Sequence, residues 1–143
     1  MDEDHDIPFL DWLGARLVEW TPEQVVLKLA VEPHHLNRSG VVHGGIYSVL
    51  ADAAGGLAGC YSADPQTPVK SYTLSLTTSF LGATGTGELV ARGLLRRRGR
   101  RVYFSTVEIT GHDDELVALA EGSFLYRGSA DSVHSARLRP HGA

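Results

Sequence analysis

Hydrophobic positions along the chain fall into two short alternating runs, one long helical stretch and four further alternating runs. Ile7 to Leu13 carries Phe9, Leu10, Trp12 and Leu13 in a short helical turn that Gly14 stops. Leu17–Trp20 and Val25–Val31 are predicted strands around Thr21-Pro-Glu-Gln24, a turn with proline at its second position. The period of two places Val25, Leu27, Leu29 and Val31 on one face. Residues 33–42 are polar and irregular. From Gly44 the apolar spacing becomes three and four, through Ile46, Tyr47, Val49, Leu50, Ala53, Ala54, Leu57 and Ala58, which predicts a helix. Ala51, Gly55, Gly56 and Gly59 leave that helix almost no polar face. Each mid-helix glycine costs about 1 kcal/mol against alanine. A helix that accepts this is expected to be buried all round, with other backbone pressed against it.

After a loop over 62–68, four strands are predicted at 69–81, 88–98, 100–110 and 116–127. Glycine-containing or Asp-Asp turns at 84–87, 99 and 111–114 separate all four, so each is expected to pair antiparallel with the next. In the first of the four, Leu74, Leu76, Thr78 and Phe80 are expected opposite Thr73, Ser75, Thr77 and Ser79. The acidic residues 1–6 and the tail 128–143, poor in large apolar side chains, are expected to be flexible. The sum is an α+β chain with an antiparallel sheet wrapped around one long helix, in a single domain spanning 1–143. A doubly wound α/β arrangement lacks its alternating helices.

Composition narrows the setting. With 143 residues, 43% hydrophobic and 21% charged, the chain is an ordinary globular one. One cysteine, Cys60, excludes an intrachain disulfide and suits a reducing compartment. The acidic start is the opposite of a basic signal-peptide start, and no apolar run approaches the ~18 residues of a membrane helix. A cytoplasmic location without membrane partners is expected. The net charge of −4, and a basic cluster at 96–101 without interleaved aromatic residues, argue against nucleic acid. His34-His35 is poor spacing for a shared metal, and no Cys/His set completes a site, so no metal or other cofactor is expected. Gly82 to Gly87 lacks the Gly-Lys-Ser/Thr ending of a phosphate loop, and no Gly-x-Ser-x-Gly elbow occurs. Cys60 and the aromatic residues read as core.

The chemistry concentrates in Asn37-Arg-Ser-Gly-Val-Val-His43-Gly-Gly-Ile-Tyr-Ser-Val-Leu-Ala-Asp52. A helix opening on Gly-Gly presents unpaired N–H groups at its positive end, able to bind an anion or an oxyanion forming on a carbonyl. Asp52 sits among Leu50, Ala51, Ala53 and Ala54, so its carboxylate has either a pairing partner or an active-site role. His43 is either a helix-start residue bonded to backbone or a substrate contact. Asn37 alone is a turn former. Gly44 and Asp52 stand eight residues apart, about 12 Å along a helix at 1.5 Å per residue. A base must lie within roughly 3 Å of the water it activates, so one chain's Gly44 and Asp52 do not easily serve one carbonyl. Two antiparallel copies of the helix bring each Asp52 towards the other's Gly44. The expected site therefore spans a two-fold interface.

Asn six residues before His-Gly-Gly, with Asp nine residues after that His, resembles the PaaI-like branch of the hotdog-fold acyl-CoA thioesterases. The strand Thr73-Leu-Ser-Leu-Thr-Thr-Ser-Phe-Leu81 and the Gly-Arg-Arg hairpin at 99–101 carry the same resemblance, which covers roughly 33–127. It implies hydrolysis of an acyl-CoA to free acid and CoA thiol. Within it the Gly44 N–H, helped by the Asn37 side chain, polarises the thioester carbonyl. Asp52 is general base or nucleophile, Thr73 helps hold the water, and His43 lies near the departing sulfur. Arg100 and Arg101 become either a solvated hairpin tip or contacts for the CoA phosphates. The resemblance also implies a homodimer at least, and a homotetramer built as a dimer of dimers. Tyr47, Tyr61 and Phe80 are the candidate walls of the acyl site. The alternatives are a non-catalytic acyl-CoA-binding hotdog module and, below it, a hotdog dehydratase, whose Asp/His motif is not visible.

Overall fold

The computed structural model describes residues 7–128. In chain order it contains α1 (Pro8–Leu13), β1 (Ala15–Trp20), β2 (Gln24–Ala30), α2 (Gly44–Ala58), β3 (Ser71–Phe80), β4 (Glu88–Arg98), β5 (Val102–Thr110) and β6 (Leu116–Tyr126). All six strands pair antiparallel in one sheet of order β1-β2-β4-β5-β6-β3, and α2 packs against five of them. This is the hotdog arrangement. The α2 and β4 bounds agree with the pattern read from the sequence, and the other strands differ by one or two residues at their ends. A 3₁₀ turn, Pro33–His35, sits in the stretch expected to be irregular. The expected tail from 129 onward and the residues 1–6 lie outside the described residues.

The core forms where the inner face of the sheet meets α2. Leu27, Leu29, Leu50, Ala54, Leu89 and Ile109 are fully buried. The helix sits close because the strand beneath it has no side chain at the crossing. A Cβ added to Gly93 on β4 would overlap the Ala54 carbonyl oxygen of α2. The carboxyl end of α2 is then tied down by side chains from three strands. Trp20 Nε1 on β1 donates to the Leu57 carbonyl at 2.9 Å, and the Tyr126 hydroxyl on β6 donates to the Gly59 carbonyl at 2.9 Å. The Tyr103 hydroxyl on β5 donates to the Gly56 carbonyl. These aromatic donors take up carbonyls that a helix end otherwise leaves to water or to the chain beyond it.

Four expectations need correction. β3 does not pair with β4, the next strand in the chain: it crosses to the far edge of the sheet and pairs with β6, while β4 lies between β2 and β5. The helix is not buried all round. Tyr47, Leu50, Ala51, Ala54, Gly55 and Ala58 are buried, while Ser48, Val49, Asp52, Ala53, Gly56 and Leu57 on its other side are only partly covered. The apolar character of that second side therefore is not explained by this chain's own core. The aromatic residues are divided as well: Tyr47, Tyr103, Phe124 and Tyr126 are buried, but Phe9, Trp12, Tyr72, Phe80 and Phe104 are exposed. Strict alternation also fails in β3. Thr73 pairs with Phe124 and Ser75 with Ser123, so Leu74 is an extra residue in a bulge. Thr73 consequently faces α2, as do Leu76, Thr78 and Phe80, although a regular strand would turn it away.

The Gly93 contact is with backbone, which cannot rotate aside as a side chain can. Gly93→Ala should cost about 1–3 kcal/mol, the usual range for forcing extra volume into a packed site, read as a lower midpoint in urea unfolding.

Candidate active site

Asp52 lies on the half-covered side of α2, in the middle turn of the helix. Its partner is not an arginine. The Thr73 hydroxyl donates to Asp52 Oδ1 at 2.5 Å, so the strand bulge and the helix deliver the two side chains to one point. One turn earlier on α2, the Ser48 hydroxyl donates to Thr78 Oγ1 at 3.3 Å and ties the same two elements together. The Asp52–Thr73 pair borders a cavity of about 500 Å³ between α2, the start of β3 and α1. That volume lies within the range of small-molecule pockets. Most of its lining is apolar, with Leu10, Val49, Ala53, Leu57, Val69 and Phe124 among the contributors.

The amino end of α2 is a separate feature. His43 is the N-cap, and its Nδ1 accepts from the Gly45 N–H at 2.9 Å. Nδ1 is therefore the unprotonated nitrogen of the neutral ring and Nε2 carries the proton, an assignment that follows from this hydrogen bond. The next amide, Ile46 N–H, donates to the His43 carbonyl at 2.9 Å. Among the described residues the Gly44 N–H has no hydrogen-bond partner, which leaves it available at the positive end of the helix. A Cβ at Gly44 would lie 3.3 Å from the Phe80 ring, so Phe80 flanks this amide.

Asn37 does form a turn: its Oδ1 accepts from the Ser39 N–H at 2.8 Å and the Val41 N–H at 3.3 Å. That leaves the side-chain NH2 as the donor end. Within the chain Asn37 and Gly44 belong to one loop–helix junction, whereas Asp52 is two helical turns further on and pairs with Thr73. The five candidate residues thus fall into two groups, Asn37-His43-Gly44 and Asp52-Thr73.

Of the expected walls, Phe80 lies beside Gly44. Tyr61 packs edge-on against Trp20, with ring centroids 6.1 Å apart, and does not line the cavity. Tyr47 is buried with its ring 6.2 Å from that of Phe80. Burial pushes the Tyr47 ionisation up, partly offset by the nearby Thr84 backbone, although the hydroxyl makes no hydrogen bond of ordinary geometry. Arg100 and Arg101 sit at the β4–β5 turn. The Arg101 carbonyl accepts from Tyr126 N–H at 2.8 Å, and the Tyr126 hydroxyl reaches Gly59, so this turn lies at the carboxyl end of α2, away from Gly44.

His34 and His35 do not make a metal pair. His35 is buried with Nδ1 accepting from the Glu32 N–H and Nε2 donating to the Leu13 carbonyl at 2.8 Å. Sequence reasoning missed Ser48 and the α1 residues that roof the cavity. No motif marks Ser48, and α1 is too short to reveal which strand or helix it covers.

The sequence pattern of the Thioesterase superfamily matches residues 39–118, which include His43, Gly44, Asp52 and Thr73. The chain belongs to the Thioesterase superfamily. Its chemistry is accordingly thioester hydrolysis. A Pseudomonas aeruginosa protein, PA0474, whose name assigns it provisionally as an esterase, is 33% identical over 120 residues, covering 82% of this chain and 87% of that one. Mouse acyl-coenzyme A thioesterase 13 is 27% identical over 94 residues, 66% of each chain. A variant of the phenylacetic acid degradation protein PaaI from Thermus thermophilus superposes with a TM-score of 0.72 at 29% identity, covering 83% of this chain and 98% of that one. Among the described residues, no helix is long and apolar enough to cross a membrane, and no group of three or more His, Cys, Asp or Glu side chains could hold a metal ion.

The Asn37 turn makes a prediction independent of catalysis. Asn37→Ala removes the side-chain oxygen that accepts from two backbone N–H groups in an exposed loop and should lower stability by about 1 kcal/mol, measured by thermal or urea unfolding.

Proposed function

We propose that this thioester hydrolase acts on acyl-CoA, in a site assembled from two copies of the chain. The observation that carries the reading is the split of the candidate residues into two groups about 12 Å apart on one helix, one with the free Gly44 N–H and one with the Asp52–Thr73 pair. One carbonyl cannot use both groups from a single chain.

The edges of the sheet support a second copy along β3. β1 is a short edge strand guarded by Arg16 and Glu19 and interrupted by a bulge. β3 runs for ten residues without a charge, and Tyr72, Leu74, Phe80 and the following Leu81 are 53–56% exposed. Two β3 strands paired antiparallel about a two-fold axis continue the sheet and set the two α2 helices antiparallel. The half-covered side of α2 then meets its counterpart, and each Asp52 approaches the other chain's Gly44.

In such a site Thr73 fixes one carboxylate oxygen of Asp52 and leaves Oδ2 as the basic atom. Oδ2 takes a proton from water as the water oxygen bonds to the thioester carbon. The carbonyl oxygen becomes an oxyanion against the Gly44 N–H and the Asn37 side-chain NH2. Collapse re-forms the carbonyl, breaks the C–S bond and releases the CoA thiolate, which takes the proton held by Asp52 and restores the carboxylate, while His43 Nε2–H donates a hydrogen bond to the departing sulfur. The acyl-CoA substrate follows the mouse relative, whose name states that activity.

Purified protein should release free thiol from acyl-CoA, and Asp52→Ala should lower the rate about 10²–10⁴-fold while the protein stays folded. Near-normal turnover by a folded Asp52→Ala variant rejects the catalytic role.

The shared site has a sharper test. Asn37→Ala and Asp52→Ala chains, each inactive alone, are unfolded and refolded together. Random pairing makes about half the dimers mixed, and each mixed dimer holds one intact site and one with both lesions. Activity near a quarter of wild type is expected. No recovery after verified subunit exchange places both residues of a site on one chain.

A further inference from the structure

The glycines of α2 do not all have the same reason to be there. A Cβ at Gly55 would lie 3.0 Å from the Phe124 ring, and one at the capping Gly59 would overlap the Tyr103 ring. Packing excludes a side chain at Gly59 and makes one at Gly55 tight against Phe124. Gly56 differs: a Cβ there would meet Phe124 at 3.6 Å, an ordinary contact. The helix therefore bears a glycine cost of about 1 kcal/mol at Gly56 that its own packing does not require. What the missing side chain leaves is open space, because Gly56 lines the cavity beside Asp52.

We infer that this cavity holds the acyl chain of the substrate and that Gly56 sets how long a chain it takes. The inference rests on the acyl-CoA reading above. Gly56 lies one turn beyond Asp52, about 6 Å along the helix. The cavity continues past Leu57 to Cys60, about 12 Å from Asp52. At about 1.3 Å of advance per carbon, from C–C bonds of about 1.5 Å, that length takes a straight chain of roughly eight carbons. Leu10 of α1 forms part of the roof, and Phe124, stacked on Tyr103 at 5.1 Å, forms a fixed floor. Beyond Asp52 the side chains of α2 that border the cavity are uncharged, which suits an alkyl chain, and the charged and polar residues there, Lys70 and Ser71, belong to the opposite wall at the start of β3. The competing occupant is the pantetheine arm of CoA, running towards Arg100 and Arg101. Its two amides would need polar partners along a wall that is mostly apolar.

The test compares kcat/KM over straight-chain acyl-CoAs from acetyl to dodecanoyl for wild type, Gly56→Ala and Gly56→Leu. Wild type should use octanoyl-CoA well. Gly56→Leu should lose tenfold or more on octanoyl-CoA and stay within about twofold on butyryl-CoA, with Gly56→Ala intermediate, since each misfitted methylene is worth roughly tenfold or more. A loss equal at every chain length overturns the assignment.

A second readout needs no turnover. Cys60 is the single cysteine of the chain and lines the cavity, so octanoate should slow its modification by a small thiol reagent and desulfo-CoA should not. Protection by desulfo-CoA instead makes pantetheine the occupant and overturns the inference, as does no protection by either. If Gly56→Leu fails to fold, Gly56→Ala and the Cys60 measurement decide. If wild type cleaves no acyl-CoA, the proposed substrate is wrong, while octanoate protection of Cys60 still reports whether the cavity takes an alkyl chain.

Discussion

The close seating of α2 on the sheet is the constraint from which the rest of the molecule follows. It depends on an absent side chain at Gly93, against which the Ala54 carbonyl lies, and on three aromatic donors that take up the carbonyls at the helix's far end. A helix held at this depth has a fixed rotation about its axis. One side is committed to Leu27, Leu29, Leu89 and Ile109, and the opposite side, with Asp52, is turned to the cavity. The donors come from β1, β5 and β6, so strands distant in sequence all act on one helix terminus. Each bond is individually modest, about 1 kcal/mol net. Together they resist any roll of the helix that would carry Asp52 away from Thr73.

How much of this was legible in the sequence depended on what each element has to do. The α2 and β4 ranges could be read because their apolar spacing is set by burial against the core, and burial leaves a periodic trace. The fold class followed from the order of those patterns. Asp52 stood out because a carboxylate amid Leu50, Ala51, Ala53 and Ala54 violates the pattern around it. Thr73 was reached only through family resemblance, since alternation assigned it to the wrong face. A bulge is a backbone event, and nothing in Thr-Leu-Ser-Leu-Thr-Thr announces which residue will be unpaired. The all-round burial expected of α2 failed for a different reason. Apolar spacing records hydrophobicity and not what covers it, and here Val49, Ala53, Gly56 and Leu57 border the cavity instead of a strand.

The two candidate groups differ in how they are built. Gly44 needs only backbone: a helix terminus, a His43 cap that uses the next amide, and no Cβ between the amide and whatever approaches. Asp52 needs a tertiary contact to settle its carboxylate. Substitutions far from Asp52 that shift β3 along β6 are therefore expected to reach the carboxylate group before they reach the amide group.

The bulge at Leu74 carries a consequence of its own. Side-chain direction along a strand is a parity, and in a regular strand every inserted or deleted residue reverses it for all that lies on one side. In β3 that parity already includes one skipped position, because Thr73 and Ser75 oppose consecutive residues of β6. Removing Leu74 would give a regular strand in which Thr73 still faces α2. Leu74 thus leaves the side of the sheet on which Thr73 stands unchanged and acts instead on local twist, the variable that sets the angle at which its hydroxyl meets Asp52.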